Sequence, residues 1–342
     1  MKSTATPCCS ANAPNASNKP FSEEKMKKAV SIILAVLMPA ILFCSCGGTR
    51  DEAGRISIVC TTFPQYDFAR NILGSSDGLT LLLDDGADLH SYEPTAQDII
   101  KIGSADLFIY IGGASDAWVE GALKSAANPK LKTLALMDVV NTYKEEYVAG
   151  MEHEHEEHEE AHSGSHIGED EHIWLSLKNA EIMTQKICEE ISGIDPENAS
   201  LYKSNAEKYI SKLNELDSEY SALAASSKRK TVLFADRFPF RYLTEDYSLT
   251  YYAAFAGCSS ESEASFETMA FLIDKTKELA LPVVLTTEGS DGSLAKTVCE
   301  ATGAKTAALD SCQSVTAEEI KGGKTYLGIM ESNLEILREA LN

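Results

Sequence analysis

Residues 55–73 read Arg55-Ile-Ser-Ile-Val-Cys-Thr-Thr-Phe-Pro-Gln-Tyr-Asp-Phe-Ala-Arg-Asn-Ile-Leu73. The first eight are an apolar, β-branched run that predicts a strand, and Gln65–Leu73 carries the apolar spacing of a helix. A strand that feeds directly into a helix is the opening of a βα unit, and the same alternation continues downstream. Leu79–Leu83 predicts a strand, Gln97–Gly103 a helix, Leu107–Ile111 a strand ending in Gly112-Gly113, and Trp118–Ala126 a helix. Strands alternating with helices imply a parallel sheet with helices on both faces. Ligands of such sheets collect at the carboxyl ends of the strands.

The pattern breaks at residues 151–172, which hold six of the seven histidines, many glutamates and almost nothing apolar, so this stretch predicts a solvated loop. Leu177–Ile191 is helical again. Pro196 then opens a long helical stretch from Glu197 to about Ala225, with Leu201, Ala206, Tyr209, Leu213, Leu216 and Tyr220 forming an apolar stripe. At 1.5 Å per residue that helix is roughly 40 Å long, enough to brace two lobes. Alternation resumes with strands Thr231–Ala235 and Thr250–Phe255, helix Ser265–Ala280, strand Val283–Thr287, helix Gly292–Gly303, strand Thr306–Leu309 and a last helix Tyr326–Leu341. The expected class is α/β: two lobes, each a mostly parallel sheet flanked by helices, joined by one long rigid helix. Residues 55–192 form the amino-terminal lobe, 193–228 the connecting helix and 229–342 the carboxy-terminal lobe.

Ahead of the fold, Lys27 and Lys28 precede an apolar stretch from Ala29 to Phe43, followed by Cys44-Ser-Cys-Gly-Gly. Basic, then apolar, then small is the layout of a secretory signal. The apolar stretch, broken by Pro39, is short for a permanent span of a bilayer about 30 Å thick. Residues 1–25 read as a disordered leader or an early start, 26–45 as the signal and 46–54 as a tether. The cysteine pair resembles the lipobox of bacterial lipoproteins, with Cys46 as the lipidated residue, because Phe43 stands before Cys44 where a small residue is expected. An extracytoplasmic protein anchored to the membrane through lipid follows from that resemblance.

The chain carries 30 Lys and Arg against 52 Asp and Glu, a net charge of -22, which repels a phosphate backbone and argues against nucleic acid as a partner. Cations fit better. Five of the nine cysteines, Cys60, Cys188, Cys258, Cys299 and Cys312, lie within the fold; with no CxxC spacing they read as small core residues rather than a zinc knuckle.

His90 stands in Gly86-Ala-Asp-Leu-His-Ser-Tyr-Glu-Pro-Thr, directly after the second strand, and His172 in Asp170-Glu-His-Ile-Trp-Leu, where the polar loop meets an apolar segment. Imidazole is a natural zinc ligand. At these two positions the chain resembles a known family. HSYEPT is similar to the His-x-Tyr-Glu-Pro-Thr motif of zinc and manganese substrate-binding proteins of ABC transporters, and EHIWLSLKNA to their His-x-Trp-Leu motif. The resemblance extends through TFPQYDFARNI, DPENASLYKSNAEKYISKLNELDSEY and LAKTVCEATGAK, from about Arg55 to Asn342.

The resemblance implies a receptor, expected to be monomeric and not an enzyme, that captures a divalent metal and hands it to a permease. It makes His90 and His172 metal ligands. The second lobe of such proteins usually supplies a His or Glu after its first strand and an Asp after a later one. The later position falls on Asp291, with Glu288 a near competitor. At the earlier one, members commonly have Ser-His-Asp-Ala-Phe-Gly-Tyr where this chain reads Ala235-Asp-Arg-Phe-Pro-Phe-Arg-Tyr. Arg237 has no lone pair to give a cation. Asp236 is the expected third ligand, with Glu261, Glu263 or a water as alternatives.

The tract His153, His155, His158, His162 and His166 resembles the histidine-rich loop of zinc-specific members and reads as an auxiliary chelator. Imidazole-rich sites favour zinc over manganese, so zinc is the expected cargo, with manganese the alternative. An exported metallohydrolase, using Glu93 or Glu288 as base, competes with the receptor reading, but neither HExxH nor Gly-x-Ser-x-Gly occurs. A surface adhesin that happens to bind metal is a third possibility.

Overall fold

The computed structural model describes residues 55–342 except 127, 153–167 and 260–262. The signal segment, Cys46 and the five tract histidines lie outside the described residues. Two parallel four-stranded sheets form the architecture. The first has strand order β2-β1-β3-β4, from β1 Ile58–Cys60, β2 Leu79–Leu81, β3 Leu107–Tyr110 and β4 Lys132–Ala135. Its helices are α1 Phe63–Leu73, α2 Ala96–Ser104 and α3 Val119–Ala126. The chain then enters α4 Leu177–Ile194 and the 28-residue α5 Ala199–Ser226.

The second sheet has order β6-β5-β7-β8: β5 Thr231–Phe238, β6 Thr250–Ala256, β7 Val283–Thr287 and β8 Lys305–Leu309. Its helices are α6 Arg241–Asp246, α7 Phe266–Glu278, α8 Ser293–Thr302, α9 Ala317–Lys321 and α10 Tyr326–Leu341. The predicted βα alternation is therefore present in both lobes. β4, α6 and α9 are additions: Lys132 and Thr133 are exposed on an edge strand, so β4 shows no apolar run.

The long helix α5 contacts both lobes, as a brace must. Its Tyr209 hydroxyl donates to Asp67 Oδ2 of α1 at 3.4 Å, and its Tyr220 hydroxyl donates to the Met330 carbonyl of α10 at 2.6 Å. Asp67 is fully buried, so its charge needs compensation. Arg70 pairs with it, and the Tyr326 N–H that opens α10 donates to it at 3.0 Å. One carboxylate thus joins α1, α5 and α10.

A second seam fixes the segment that carries His172. The Trp174 indole N–H, buried, donates to the Ser311 carbonyl at 2.7 Å, and the Tyr242 hydroxyl donates to the Asp170 carbonyl at 2.8 Å. A buried indole needs such a partner. Residues 170–174 are consequently bolted to the carboxy-terminal lobe although their helix belongs to the first. All five cysteines of the fold are free thiols; Cys60, Cys188 and Cys312 are buried core residues, as expected, while Cys258 and Cys299 are half-buried. Among the described residues no helix is long and apolar enough to cross a membrane.

Candidate metal centre

His90 is placed by a one-turn 3-10 helix, Leu89–Ser91, just past β2. Leu89 is buried and anchors the turn, while Asp88 Oδ1 caps it by accepting the His90 backbone N–H at 2.9 Å. On the imidazole, Nδ1 lies 2.8 Å from Ser115 Oγ. His172 is fully buried. Its backbone N–H donates to Asp170 Oδ1 at 2.8 Å, and its Nδ1 lies 3.0 Å from the same oxygen. In both rings Nδ1 is thus engaged, which leaves Nε2 to face the site.

The two Nε2 atoms face each other at 3.3 Å. Two nitrogens bound to one tetrahedral zinc at 2.0–2.1 Å would stand about 3.3 Å apart, so the spacing fits a shared ion. Without an ion, two lone pairs this close repel unless a proton lies between them. The titration behaviour follows. Burial, and then the charge of His172, holds His90 down to about 4. Burial also opposes charge on His172, but Asp170, through its charge and its hydrogen bond, overrides this and raises it. One proton, shared by the pair and held on His172, or one divalent cation satisfies the arrangement.

Carboxylates surround it. Glu171, 2% exposed, accepts the Ser115 N–H through Oε1 at 2.9 Å, while its Oε2 has no hydrogen-bond partner and lies 3.8 Å from His90 Nδ1. Gly113 makes room for this side chain: a Cβ there would come within 2.3 Å of Glu171 Oε1.

The second lobe brings a residue that sequence reasoning assigned to the core. Cys258 follows β6, and its ligand atom together with one from each histidine all lie within 4.8 Å of one another. Its backbone N–H donates to Glu145 Oε1 at 2.8 Å. Burial, then the charges of Glu145, Asp170 and Glu171, pushes the thiol well up, so without metal the sulfur keeps its proton. The preceding Gly257 lets the strand end approach the rings, because a Cβ there would meet the Phe238 carbonyl oxygen at 2.8 Å and His172 Cε1 at 3.3 Å. A carboxyl-terminal position on a parallel strand beside a glycine was the available signal.

The other expected ligands sit elsewhere in the cleft. β5 runs three residues past its predicted end, with a register shift between Phe234 and Arg237 against β6. That places Asp236 inside the strand and turns its carboxylate toward β7, where Oδ2 accepts the Thr287 N–H at 3.0 Å and the Thr287 hydroxyl at 2.9 Å. Asp236 is therefore not brought together with the histidines. Asp291 is exposed just before α8, and its Oδ1 accepts the Ser293 N–H at 2.9 Å. Glu288 is held by Ser311, whose N–H donates to Oε2 at 2.7 Å, and burial followed by the charge of Asp310 raises it to about 7. Asp236, Glu288 and Asp291 line one cleft with Asp88 and Arg237. Glu263 is exposed, and Glu261 lies outside the described residues.

A family model described as zinc-uptake complex component A, periplasmic, matches residues 58–340. The chain belongs to that family. Within it, the chain is 32% identical to the high-affinity zinc uptake system protein ZnuA of Bacillus subtilis over 323 residues, 92% of this chain and 99% of that protein. It is 31% identical to the zinc-binding lipoprotein AdcA of Streptococcus pneumoniae over 313 residues, 91% of this chain but only 61% of that relative. The chain thus spans about six-tenths of the length of the pneumococcal protein. The crystal structure of the Zn(II)-bound ZnuA-like domain of pneumococcal AdcA superposes with a TM-score of 0.68 at 29% identity, covering 84% of this chain and 99% of that one.

Proposed function

We propose that the chain is the extracytoplasmic receptor of an ABC importer, capturing zinc between its lobes at His90 and His172 and handing it to a permease. The observation that carries this is the 3.3 Å separation of the two Nε2 atoms, which suits a tetrahedral ion and suits two neutral imidazoles poorly. The surrounding carboxylates Glu145, Asp170 and Glu171 add the negative charge that a dication requires. Membership of a zinc-uptake family, alongside relatives named for zinc binding, supports zinc ahead of manganese and speaks for a transport component rather than the exported hydrolase. In this reading Cys46 carries the lipid that keeps the receptor near its permease, and the histidine tract gathers zinc at low affinity.

Elemental analysis of protein purified without chelator, followed by competition between zinc and manganese, tests it. The expected result is about one tightly held zinc per chain, lost in both His90→Ala and His172→Ala. Retention of that zinc in either variant would move the cargo site elsewhere.

A further inference from the structure

Resting on zinc capture at His90 and His172, we propose that Cys258 completes the metal site as a thiolate ligand from the second lobe, and that this sulfur makes the site select zinc and cadmium against manganese. Three observations converge on the residue. Its ligand atom joins those of the two histidines within 4.8 Å, a group of three donors contributed by both lobes. Its backbone is fixed by the 2.8 Å hydrogen bond to Glu145, so the strand end is aimed rather than loose. Gly257, immediately before it, is the residue that permits this approach, since any side chain there would collide with the Phe238 carbonyl and crowd the His172 ring.

A tetrahedral zinc with sulfur at about 2.3 Å and nitrogen at about 2.0 Å sets the sulfur about 3.6 Å from each nitrogen. Closing from 4.8 Å at most therefore asks about 1 Å of movement at the end of β6. The protons balance simply. The metal-free site holds a neutral thiol; the incoming dication forms the metal–sulfur bond as the S–H bond breaks, and the proton leaves to solvent. The carboxylates of Glu145, Asp170 and Glu171, which disfavour a free thiolate, attract the cation that replaces its proton. Three protein donors leave a tetrahedral ion one position open for exchange, which a carrier needs and a purely structural zinc site does not have.

Selectivity follows from donor softness. Thiolate and imidazole suit zinc and cadmium, whereas manganese is best served by oxygen donors. The carboxylates expected from the sequence, Asp236 and Asp291, are committed to Thr287 and Ser293, so the softer donor is the one that reaches the histidines.

Cobalt(II) reports the bond directly, because a cobalt-bound thiolate has an intense charge-transfer absorption in the near ultraviolet that imidazole and carboxylate ligands lack. The full chain, stripped of metal and titrated with cobalt, is expected to develop that band. Cys258→Ser should keep the cobalt but lose the band, and Cys299→Ser should keep both. The histidine tract cannot supply the band, since residues 153–167 contain no cysteine. Cys258→Ser should also weaken zinc by at least about tenfold while shifting manganese little, and Cys258→Asp should narrow the preference for zinc over manganese. Cobalt binding to the parent chain without the band overturns the thiolate while leaving zinc capture at the histidines intact. A band that survives in Cys258→Ser overturns it equally. Failure of the parent to bind cobalt or zinc at all would remove the zinc-receptor reading itself.

Discussion

Arg237 and Asp88 form an ion pair across the cleft, with the guanidinium Nη1 3.1 Å from Asp88 Oδ2. The other oxygen of Asp88 caps the turn that carries His90, so this bridge ties β5 of the second lobe to a metal-ligand loop of the first. Both side chains are about one-third exposed, so the pair itself contributes little stability. Its charge matters more, because a fixed guanidinium beside a cation site opposes the cargo. Arg237→Ala is expected to tighten zinc binding several-fold at low ionic strength, with the gain shrinking as salt screens the field over about 10 Å. Calorimetric titration at two salt concentrations checks this. Weaker binding in the variant would mean that the bridge positions His90 more than it repels the ion.

Asp170 fixes His172 by accepting from both its backbone N–H and its ring Nδ1. Replacing it with Asn leaves one oxygen but removes the charge that makes the opposite nitrogen a better donor. Outer-shell carboxylates of this kind are worth 10- to 100-fold in metal affinity, so Asp170→Asn should cost roughly that much in zinc affinity. Zinc competition against a chromophoric chelator measures it. An unchanged affinity would show that His172 is oriented by packing alone.

How far the residues announced this site depends on what each depended on. The βα alternation is legible because buried parallel strands are nearly continuous apolar runs, and His90 and His172 stand out because each sits in a distinctive local motif, His90 after a strand and His172 just before an apolar segment. Cys258 is marked only by its place after a strand beside Gly257: a single cysteine without a nearby partner reads as core, and its neighbours arrive only when two lobes close on one another. Asp236 illustrates the converse. The apolar run of β5 predicts a strand end at Ala235, whereas the strand continues through a register shift against β6 to Phe238 and turns the carboxylate toward Thr287. A bulge is a tertiary accommodation that one strand's own residues do not disclose.

The histidine tract is rooted close to the site. Its flanks pair through the Glu145 N–H to the Gly168 carbonyl at 2.9 Å and the Asp170 N–H to the Tyr143 carbonyl at 2.7 Å, and Glu145 also holds Cys258. Replacing residues 153–167 with a short Gly-Ser linker preserves that root. The tight zinc should survive with its affinity nearly unchanged, while the weaker equivalents disappear, because ligands that bind singly along a polar tract each pay ordering entropy. Calorimetry distinguishes the two classes. Loss of the tight event would place tract histidines in the main site.

Glu288 offers a test that needs no metal. Burial and the charge of Asp310 raise it to about 7, well above the ordinary 4.5 of a glutamate. A raised carboxylate favours the fold in its protonated form: the contribution is fully present below the unfolded value of about 4.5 and is lost as the pH climbs through 7. The side chain is largely buried, so the loss amounts to something of the order of 2 kcal/mol by pH 8. Glu288→Gln cannot ionise, and its amide can still accept from the Ser311 N–H and donate to the Ser311 hydroxyl. The variant should therefore match the parent at pH 5 and exceed it in denaturation midpoint at pH 8, both measured in the presence of chelator. A variant that is less stable at pH 8 would mean that Glu288 is ionised in the fold and needed as a carboxylate there, which would return it to the cleft as a metal-facing group.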